Sequence, residues 1–230
     1  AFIIDSIKHP AEVEILRKIY GEGFYLVSVY EEKSKRLKNL CEKRHFRSDK
    51  SIASEAEKKK YATDLVSFIK EEAPQFDIIG ACYPEGHPES SNAVSDIKNL
   101  KKKVDAGCST LVSQLFFDNE AFYNFQEKCI LADIEVPIIA GIMPIINRNQ
   151  ALRLLKTCEN IRLPRKFKAI LEKYEHDPES LRAAGLAYAV DQIVDLVTND
   201  VAGVHLYTMN NAETARTIHE ATHALFKHYS

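Results

Sequence analysis

Short apolar runs alternate along this chain with longer amphipathic stretches, and this alternation limits the possible fold more than any other feature. The runs are rich in β-branched and aromatic residues, as in strands whose two faces are both covered. Strands are predicted at Phe2–Asp5, Phe24–Val29, Asp77–Cys82, Leu111–Phe117, Val136–Ile142 and Gly203–Tyr207. Strands that alternate with helices predict an α/β fold with a parallel sheet.

Helices are predicted at 11–19, 31–43, 52–72, 92–106, 119–132, 148–158, 164–174, 178–198 and 212–228. Six strands are two fewer than a closed eight-stranded barrel requires. We therefore expect a (β/α) TIM-barrel-type fold that is incomplete or atypical and that opens with a βαβα segment. The irregular, highly charged stretch at 44–60 marks the predicted junction between a segment 1–57 and a second domain 58–230.

The composition excludes several classes of protein. Lys+Arg number 31 and Asp+Glu 33, so the net charge of -2 provides no positive field for nucleic acid. The five cysteines are scattered and form no C-x-x-C pair, which predicts neither disulfides nor a cysteine zinc site and fits a reducing, cytoplasmic compartment. Apolar runs are far shorter than the roughly 20 residues that span a bilayer, so no membrane segment is expected.

The most informative segment is Ile78–Glu89, IIGACYPEGHPE, in which a predicted strand leads into a loop with two prolines. Loops at the carboxyl ends of parallel strands are where α/β proteins build their sites. Pro84 and Pro88 restrict the backbone, so Tyr83 and His87 can be held beside a ligand. An ordinary proline-rich turn would have the same sequence, and both interpretations stay open here.

The helix that follows carries Asp96, Asn99 and Lys103 at helical spacing, with Lys102 alongside. Such a face offers an acceptor for sugar hydroxyls and two ammonium groups for phosphate, although a solvated helix flank has the same pattern. Gln114 is an amide in an otherwise apolar predicted strand. A buried amide needs hydrogen-bond partners, and either a ligand or the protein can supply them.

A competing motif is HEATH at residues 219–223, which matches the zinc-protease pattern H-E-x-x-H. The metzincin extension needs a glycine and a further histidine, but Phe226 and Tyr229 occupy those positions. We favour a solvent-facing, histidine-rich helix without a metal. Zinc hydrolysis through His219 and His223 is the least favoured alternative.

From about Lys60 onward the chain resembles the methylenetetrahydrofolate reductase family of flavin-dependent β/α barrels. The resemblance rests on the segments KYATDLVSFIKE, ACYPEGHPES, DIKNLKKKVDAG, SQLFFD, VPIIAGIMPI and GVHLYTMN, which follow the family's order and spacing. It implies an oxidoreductase that uses FAD and NAD(P)H to reduce 5,10-methylenetetrahydrofolate to 5-methyltetrahydrofolate. That reaction belongs to one-carbon metabolism and methionine biosynthesis.

The resemblance also implies which residues contact the ligands. The positions that match FAD contacts are Ala62, Tyr83, His87, Ser90, Asp96, Asn99, Lys102 and Lys103. Gln114 and Gln150 match folate contacts, and Gln114 also lies where the nicotinamide stacks. Two positions depart from the family, because Leu154 replaces an aromatic found in some members and Asn211 replaces a frequent arginine.

Ala1–Leu40 resembles instead an internal piece of the nucleotide-kinase-like region of some deoxycytidylate deaminases. The glutamate that protonates the folate N10 in the family has no match in this sequence, so the general acid is unknown. We expect the second half of a flavin barrel joined to a foreign segment, with impaired activity. Exposed strand edges would favour a homo-oligomer. The alternative function is a catalytically silent flavin- or nucleotide-binding or assembly module.

Overall fold

The computed structural model describes residues 62–72, 74–88, 90–157 and 161–228. The chain divides into two compact units between Phe76 and Asp77. The strands predicted at Phe2–Asp5 and Phe24–Val29, the helices at 11–19 and 31–43, and the predicted junction near residue 57 all lie outside the described residues.

In the unit that ends at Phe76, the described helix is α1, Ala62–Glu72. It ends at the residue predicted for the helix at 52–72. Asp64 lies in its first turn and Lys70 in its last, an arrangement that complements the helix dipole. Lys70 Nζ donates a hydrogen bond to the carbonyl oxygen of Phe76 (2.7 Å), which ties the segment after the helix back to it.

In the unit that begins at Asp77, four parallel strands form one sheet in the spatial order β1-β2-β3-β4. They are β1 Ile78–Cys82, β2 Cys108–Ser113, β3 Ile138–Ile142 and β4 Val204–Leu206. Because the strands are parallel, their carboxyl ends meet at one edge of the sheet. We call this the carboxyl edge, formed by the loops at 83–88 with 90–92, 114–118, 143–147 and 207–211. The predicted α/β class with a parallel sheet is confirmed.

Helices connect the strands and continue beyond them. They are α2 Ala93–Asp105, α3 Asn119–Leu131, α4 Arg148–Thr157, α5 Arg165–Lys173, α6 Pro178–Thr198 and α7 Ala212–Thr222, followed by a 3-10 helix His223–His228. The first five match their predictions to within one residue at each end. The helix predicted at 212–228 is α-helical only to Thr222 and continues as the 3-10 helix. At the change, Thr222 Oγ1 donates to Ile218 O (2.7 Å), a carbonyl that main-chain N–H groups of the helix also bond.

Several helices begin where a side chain accepts a main-chain N–H. Asn92 Oδ1 accepts from Ser95 N (2.9 Å) at the start of α2, and Asp177 Oδ1 accepts from Ser180 N (3.0 Å) at the start of α6. In α2 the Ser95 side chain returns a bond to Asn92, which completes a capping box. These caps fix the entry of each helix from the loop before it.

One predicted strand is displaced. The apolar run Leu111–Phe117 indicates a strand, but β2 ends at Ser113 and residues 114–117 belong to the carboxyl edge. Phe116 and Phe117 are buried because they stack on other aromatic rings, Phe122 at 5.0 Å and Phe167 at 4.7 Å between centroids. These two residues are therefore apolar because they pack against helices α3 and α5, and not because they belong to a strand.

The core has two parts. The first lies between the sheet and its helices and includes Leu111, Ala140 and Ile142 from the strands with Ile193 and Leu196 from α6. The second lies at the carboxyl edge and comprises Leu115, Phe117, Met143, Ile145, Ala151, Leu154, Phe167 and Tyr188. We call it the second core. The helices around this sheet bury their apolar faces, and none in the described part of the chain is long and apolar enough to cross a membrane.

The helix α6 approaches the carboxyl edge closely at Gly185. A Cβ at this position would lie 1.7 Å from the carbonyl oxygen of Ile145, which is a main-chain atom and cannot rotate away. Tyr188, one turn later, donates from its hydroxyl to Phe117 O (2.7 Å). Burial raises the pKa of Tyr188 to about 12, so the hydroxyl stays protonated and keeps this bond at neutral pH.

Gly185→Ala is expected to lower the free energy of unfolding by about 2 kcal/mol or more, because the clash outweighs the helix-propensity gain of about 1 kcal/mol. Urea unfolding followed by circular dichroism measures the change. Ala187→Gly, at an exposed position of the same helix, is the control and should cost only about 1 kcal/mol. A Gly185→Ala variant as stable as the parent would contradict this packing.

Candidate functional site

Two main-chain turns shape the first loop of the carboxyl edge. Gly86 N donates to Tyr83 O (3.0 Å), and Ser90 N donates to His87 O (3.0 Å). Gly86 has φ +95°, a conformation that favours glycine. The rings of Tyr83 and His87 meet edge to face with their centroids 4.5 Å apart. The structure thus brings together the two side chains that the proline-rich motif predicted to lie beside a ligand.

Asp96 holds this loop in place from the first turn of α2. Its Oδ2 accepts a hydrogen bond from His87 N (3.1 Å) and its Oδ1 accepts one from Ser90 Oγ (3.0 Å). Three of the predicted ligand residues, His87, Ser90 and Asp96, are therefore linked to one another. A carboxylate can accept further bonds from its remaining lone pairs.

The basic end of α2 also reaches the first strand. Lys103 Nζ donates to the carbonyl oxygen of Ala81 (2.7 Å), the residue before the last one of β1. An ammonium group has three protons, and this bond uses one of them. Asn99 and Lys102 are exposed on the same helix. The predicted set on α2 therefore divides into Asp96 and Lys103, which bond the protein, and two solvent-facing side chains.

Gln114 lies in the carboxyl edge and not in a strand as predicted, and Gln150 lies in the first turn of α4, directly after the loop at 143–147. Gln114 N donates to Cys82 O (2.7 Å), and Gln114 Oε1 accepts from Leu115 N (3.1 Å). Gln150 bonds the loop before α4, because its Oε1 accepts from Ile146 N (3.0 Å) and its Nε2 donates to Pro144 O (2.9 Å). Both side-chain amides thus bond the main chain of the carboxyl edge.

The two positions that depart from the family, Leu154 and Asn211, contact other parts of the protein. Leu154, where some family members have an aromatic, is buried in the second core with 7% of its surface exposed. Asn211, where an arginine is frequent, caps α7 through a bond from Thr214 N to its Oδ1 (2.9 Å). Ala62 is an exposed residue of α1 and belongs to the other unit of the chain.

A polar and aromatic cluster at β4 was not predicted from the sequence. Tyr207 Oη donates to Ser113 O (3.0 Å), and Ser113 Oγ accepts from Gly141 N (2.8 Å). The buried His205 ring meets the Tyr207 ring edge to face at 4.4 Å. A Cβ at Gly141 would lie 2.7 Å from the Tyr207 ring, so the small residue lets tyrosine cross from β4 to β2.

Glu85, in the proline-rich loop, makes a contact with Arg162 that the sequence did not predict. Its Oε1 accepts a hydrogen bond from Arg162 N (3.0 Å). Its Oε2 is buried and has no hydrogen-bond partner among the described residues. Burial raises the pKa of the Glu85 carboxyl above its ordinary value of 4.5, and the nearby Asp118 adds to this effect, while Arg162 opposes it.

Neither cysteine nor zinc chemistry gains support. Cys82, Cys108 and Cys129 are free and buried, and burial raises the pKa of Cys129 to about 12. The thiol of Cys129 is therefore not a thiolate nucleophile at neutral pH. The rings of His219 and His223 lie 5.4 Å apart, but the described ranges contain no group of three or more His, Cys, Asp or Glu that could hold a metal ion.

Asp96→Ala is expected to destabilise the protein by about 1–3 kcal/mol and to speed amide exchange at His87, because two partly buried donors lose their charged acceptor. Hydrogen exchange with residue-level resolution measures the loop, and urea unfolding measures the stability. Asp105→Ala on the same helix is the control. It removes only the exposed pair with Lys101 and should cost about 0.5 kcal/mol. Equal effects of the two substitutions would contradict the role of Asp96.

Comparison with known proteins identifies the relatives of this chain. The sequence model of the family described as methylenetetrahydrofolate reductase matches residues 45–223. The 5,10-methylenetetrahydrofolate reductase of Escherichia coli (strain K12) is 40% identical over 158 residues, which are 69% of this chain and 53% of that protein. The Pectobacterium carotovorum enzyme of the same name is 39% identical over 158 residues, with 69% and 52% covered. The chain therefore spans about half the length of these curated relatives.

A solved structure supports the fold. It is an uncharacterized protein from Clostridium thermocellum that binds two copies of 5-methyl-5,6,7,8-tetrahydrofolic acid. It superposes with a TM-score of 0.57 at 14% identity and covers 93% of this chain and 78% of that chain. At this identity the likeness concerns the fold alone, whereas the sequence comparisons establish ancestry. The resemblance seen in the motifs is confirmed, and this chain belongs to the methylenetetrahydrofolate reductase family.

Proposed function

We propose that this chain is the FAD- and folate-binding half of a methylenetetrahydrofolate reductase. In this proposal NADH or NADPH reduces bound FAD, and the flavin then reduces 5,10-methylenetetrahydrofolate to 5-methyltetrahydrofolate. Residues 58–230 would form the second half of the family's barrel. Family membership and the names of the relatives support the reaction class.

The observation that carries the proposal is the linked unit of loop and helix at the carboxyl edge. Asp96 accepts from both His87 N and Ser90 Oγ, so the loop with its two aromatic rings is held in one conformation before any ligand arrives. A site that is ordered in advance loses less entropy on binding. The carboxyl edge is also the position at which α/β proteins bind cofactors.

The residues of this unit fit the chemistry of FAD. The diphosphate of FAD is anionic, and the ammonium groups of Lys102 and Lys103 provide matching charge on α2. Asn99 is exposed beside them, and the remaining lone pairs of Asp96 suit ribityl hydroxyls. The FAD positions proposed from the family are Ala62, Tyr83, His87, Ser90, Asp96, Asn99, Lys102 and Lys103. When bound, FAD supplies the hydride-transfer chemistry.

The folate would lie against the neighbouring loops. Gln114 and Gln150 present amide groups at the carboxyl edge, and amides can both donate to and accept from a pterin ring. The protein from Clostridium thermocellum with the same fold binds a folate, which is compatible with this placement. Leu154 is buried and Asn211 caps a helix, so the contacts made by an aromatic and an arginine in relatives are missing. We expect weaker folate binding as a result.

The proposed activity is impaired because the family's general-acid glutamate has no match in the 230 residues. General acid catalysis typically contributes between about 10² and 10⁴ to a rate. The chain would therefore bind flavin and turn over slowly. A catalytically silent flavin-binding module is the second candidate, and the same missing glutamate favours it. We also propose that the chain forms a homo-oligomer.

Lys103→Glu is expected to weaken FAD binding at least about tenfold, because a carboxylate near the diphosphate repels it. The dissociation constant is measured by titration with FAD, followed by the quenching of flavin fluorescence. Lys128→Glu is the matched control, since it makes the same charge change at an exposed position in the last turn of α3. Equal affinities of the two variants would contradict the placement of the diphosphate on α2.

Turnover separates the two candidate functions. FAD-loaded protein is incubated anaerobically with NADH or NADPH, with and without 5,10-methylenetetrahydrofolate, and the 5-methyltetrahydrofolate formed is measured. We expect product to form at a rate about 10²-fold or more below that of a family member that has the glutamate. Flavin that stays oxidised, or product that never forms although FAD is bound, would support the silent module instead.

A further inference from the structure

The short segment before α5 lies over the carboxyl edge. We call residues 161–164 the strap. Ile161 and Leu163 pack against the second core, and Pro164 leads into α5. Phe167 of α5 stacks on Phe117 from the loop after β2, with 4.7 Å between the ring centroids. The strap is thus anchored on apolar contacts with the loops that follow β2 and β3.

Glu85 adds a polar link between the strap and the first loop. The carboxyl Oε1 accepts from Arg162 N at 3.0 Å, and the two residues are 77 positions apart in sequence. The other oxygen, Oε2, is enclosed by protein and finds no donor within the described part of the chain. A buried carboxylate oxygen without a donor is costly when the group is ionised and much less so when it carries a proton.

We propose that Glu85 is a positioning residue. When its carboxyl is protonated, the hydrogen bond from Arg162 N holds the strap against the first loop, and we call this closed arrangement the clasp. When the carboxyl is ionised, its buried Oε2 has to reach water, and the strap separates from the loop. The first loop carries Tyr83 and His87, so the clasp would set the position of that loop relative to the strap. This inference goes beyond the proposed reductase function, because it concerns the protein before any ligand binds.

The charges around Glu85 support this assignment. Asp118, in the loop after β2, disfavours a second negative charge nearby, whereas the hydrogen bond from Arg162 N and the charge of Arg162 both favour the ionised carboxylate. The loss of solvation exceeds the stabilising effects, so the pKa of Glu85 lies above its ordinary value of 4.5. The clasped state therefore binds the proton more tightly than the open state does. Its stability is fully present below pH 4.5 and declines as the pH rises through the raised pKa.

The Arg162 amide reports directly on the clasp, because its N–H is the donor. We would measure hydrogen exchange of this amide between pH 4 and 8 on the full chain without ligand and express it as a protection factor, which removes the intrinsic pH dependence of exchange. In the parent protein, protection should fall about fivefold to tenfold with rising pH, as the loss of one hydrogen bond implies.

Two variants at Glu85 test the mechanism. Glu85→Gln keeps an acceptor for Arg162 N but cannot ionise, so its protection factor should be the same at every pH. Glu85→Ala should show low protection throughout. Glu175→Gln is the control, since it neutralises an exposed carboxylate that pairs with Arg148 and should leave the parent's pH dependence intact.

Three results would overturn the proposal. They are a parent protection factor that does not change with pH, a Glu85→Gln variant that keeps the parent's pH dependence, and a Glu85→Ala variant that keeps full protection. If Glu85→Ala fails to fold, the comparison of the parent with Glu85→Gln decides alone. Because no ligand is used, the outcome is independent of whether the chain binds FAD.

Discussion

The candidate site depends on two hydrogen bonds that the Asp96 carboxylate accepts from the first loop of the carboxyl edge. The parallel sheet brings four loops to one edge, but it does not determine the conformation of any of them. Asp96 does so for the first loop, by accepting from His87 N and Ser90 Oγ. Its own position is secured by the capping box at Asn92, and a negative charge in the first turn of a helix is favourable.

Residues predicted to contact ligands also hold the protein together. Asp96 organises a loop, Lys103 bonds the carbonyl of Ala81, and Gln150 closes the loop in front of it. Each retains lone pairs or protons that a ligand can use. In such a site the ligand adds bonds to an existing network, so a substitution changes stability and binding together. Control substitutions at exposed positions are needed for this reason.

The sequence predicted much of the fold because local patterns determine it. β1, β3 and β4 and five helices follow from apolar periodicity, caps and prolines. The same reasoning misplaced Gln114, since Phe116 and Phe117 are apolar for packing with helices rather than for strand pairing. The bonds from Arg162 to Glu85 and from Tyr207 to Ser113 join residues 77 and 94 positions apart, and no local pattern signals them.

We expect the unit of loop and helix at the carboxyl edge to bind FAD. The first test of this binding is the visible absorption spectrum of the purified protein, before and after addition of FAD and removal of the unbound excess. The protein should retain a flavin spectrum, with FAD identified after denaturation. A protein that is colourless as purified and retains no added FAD would show that this unit does not bind FAD.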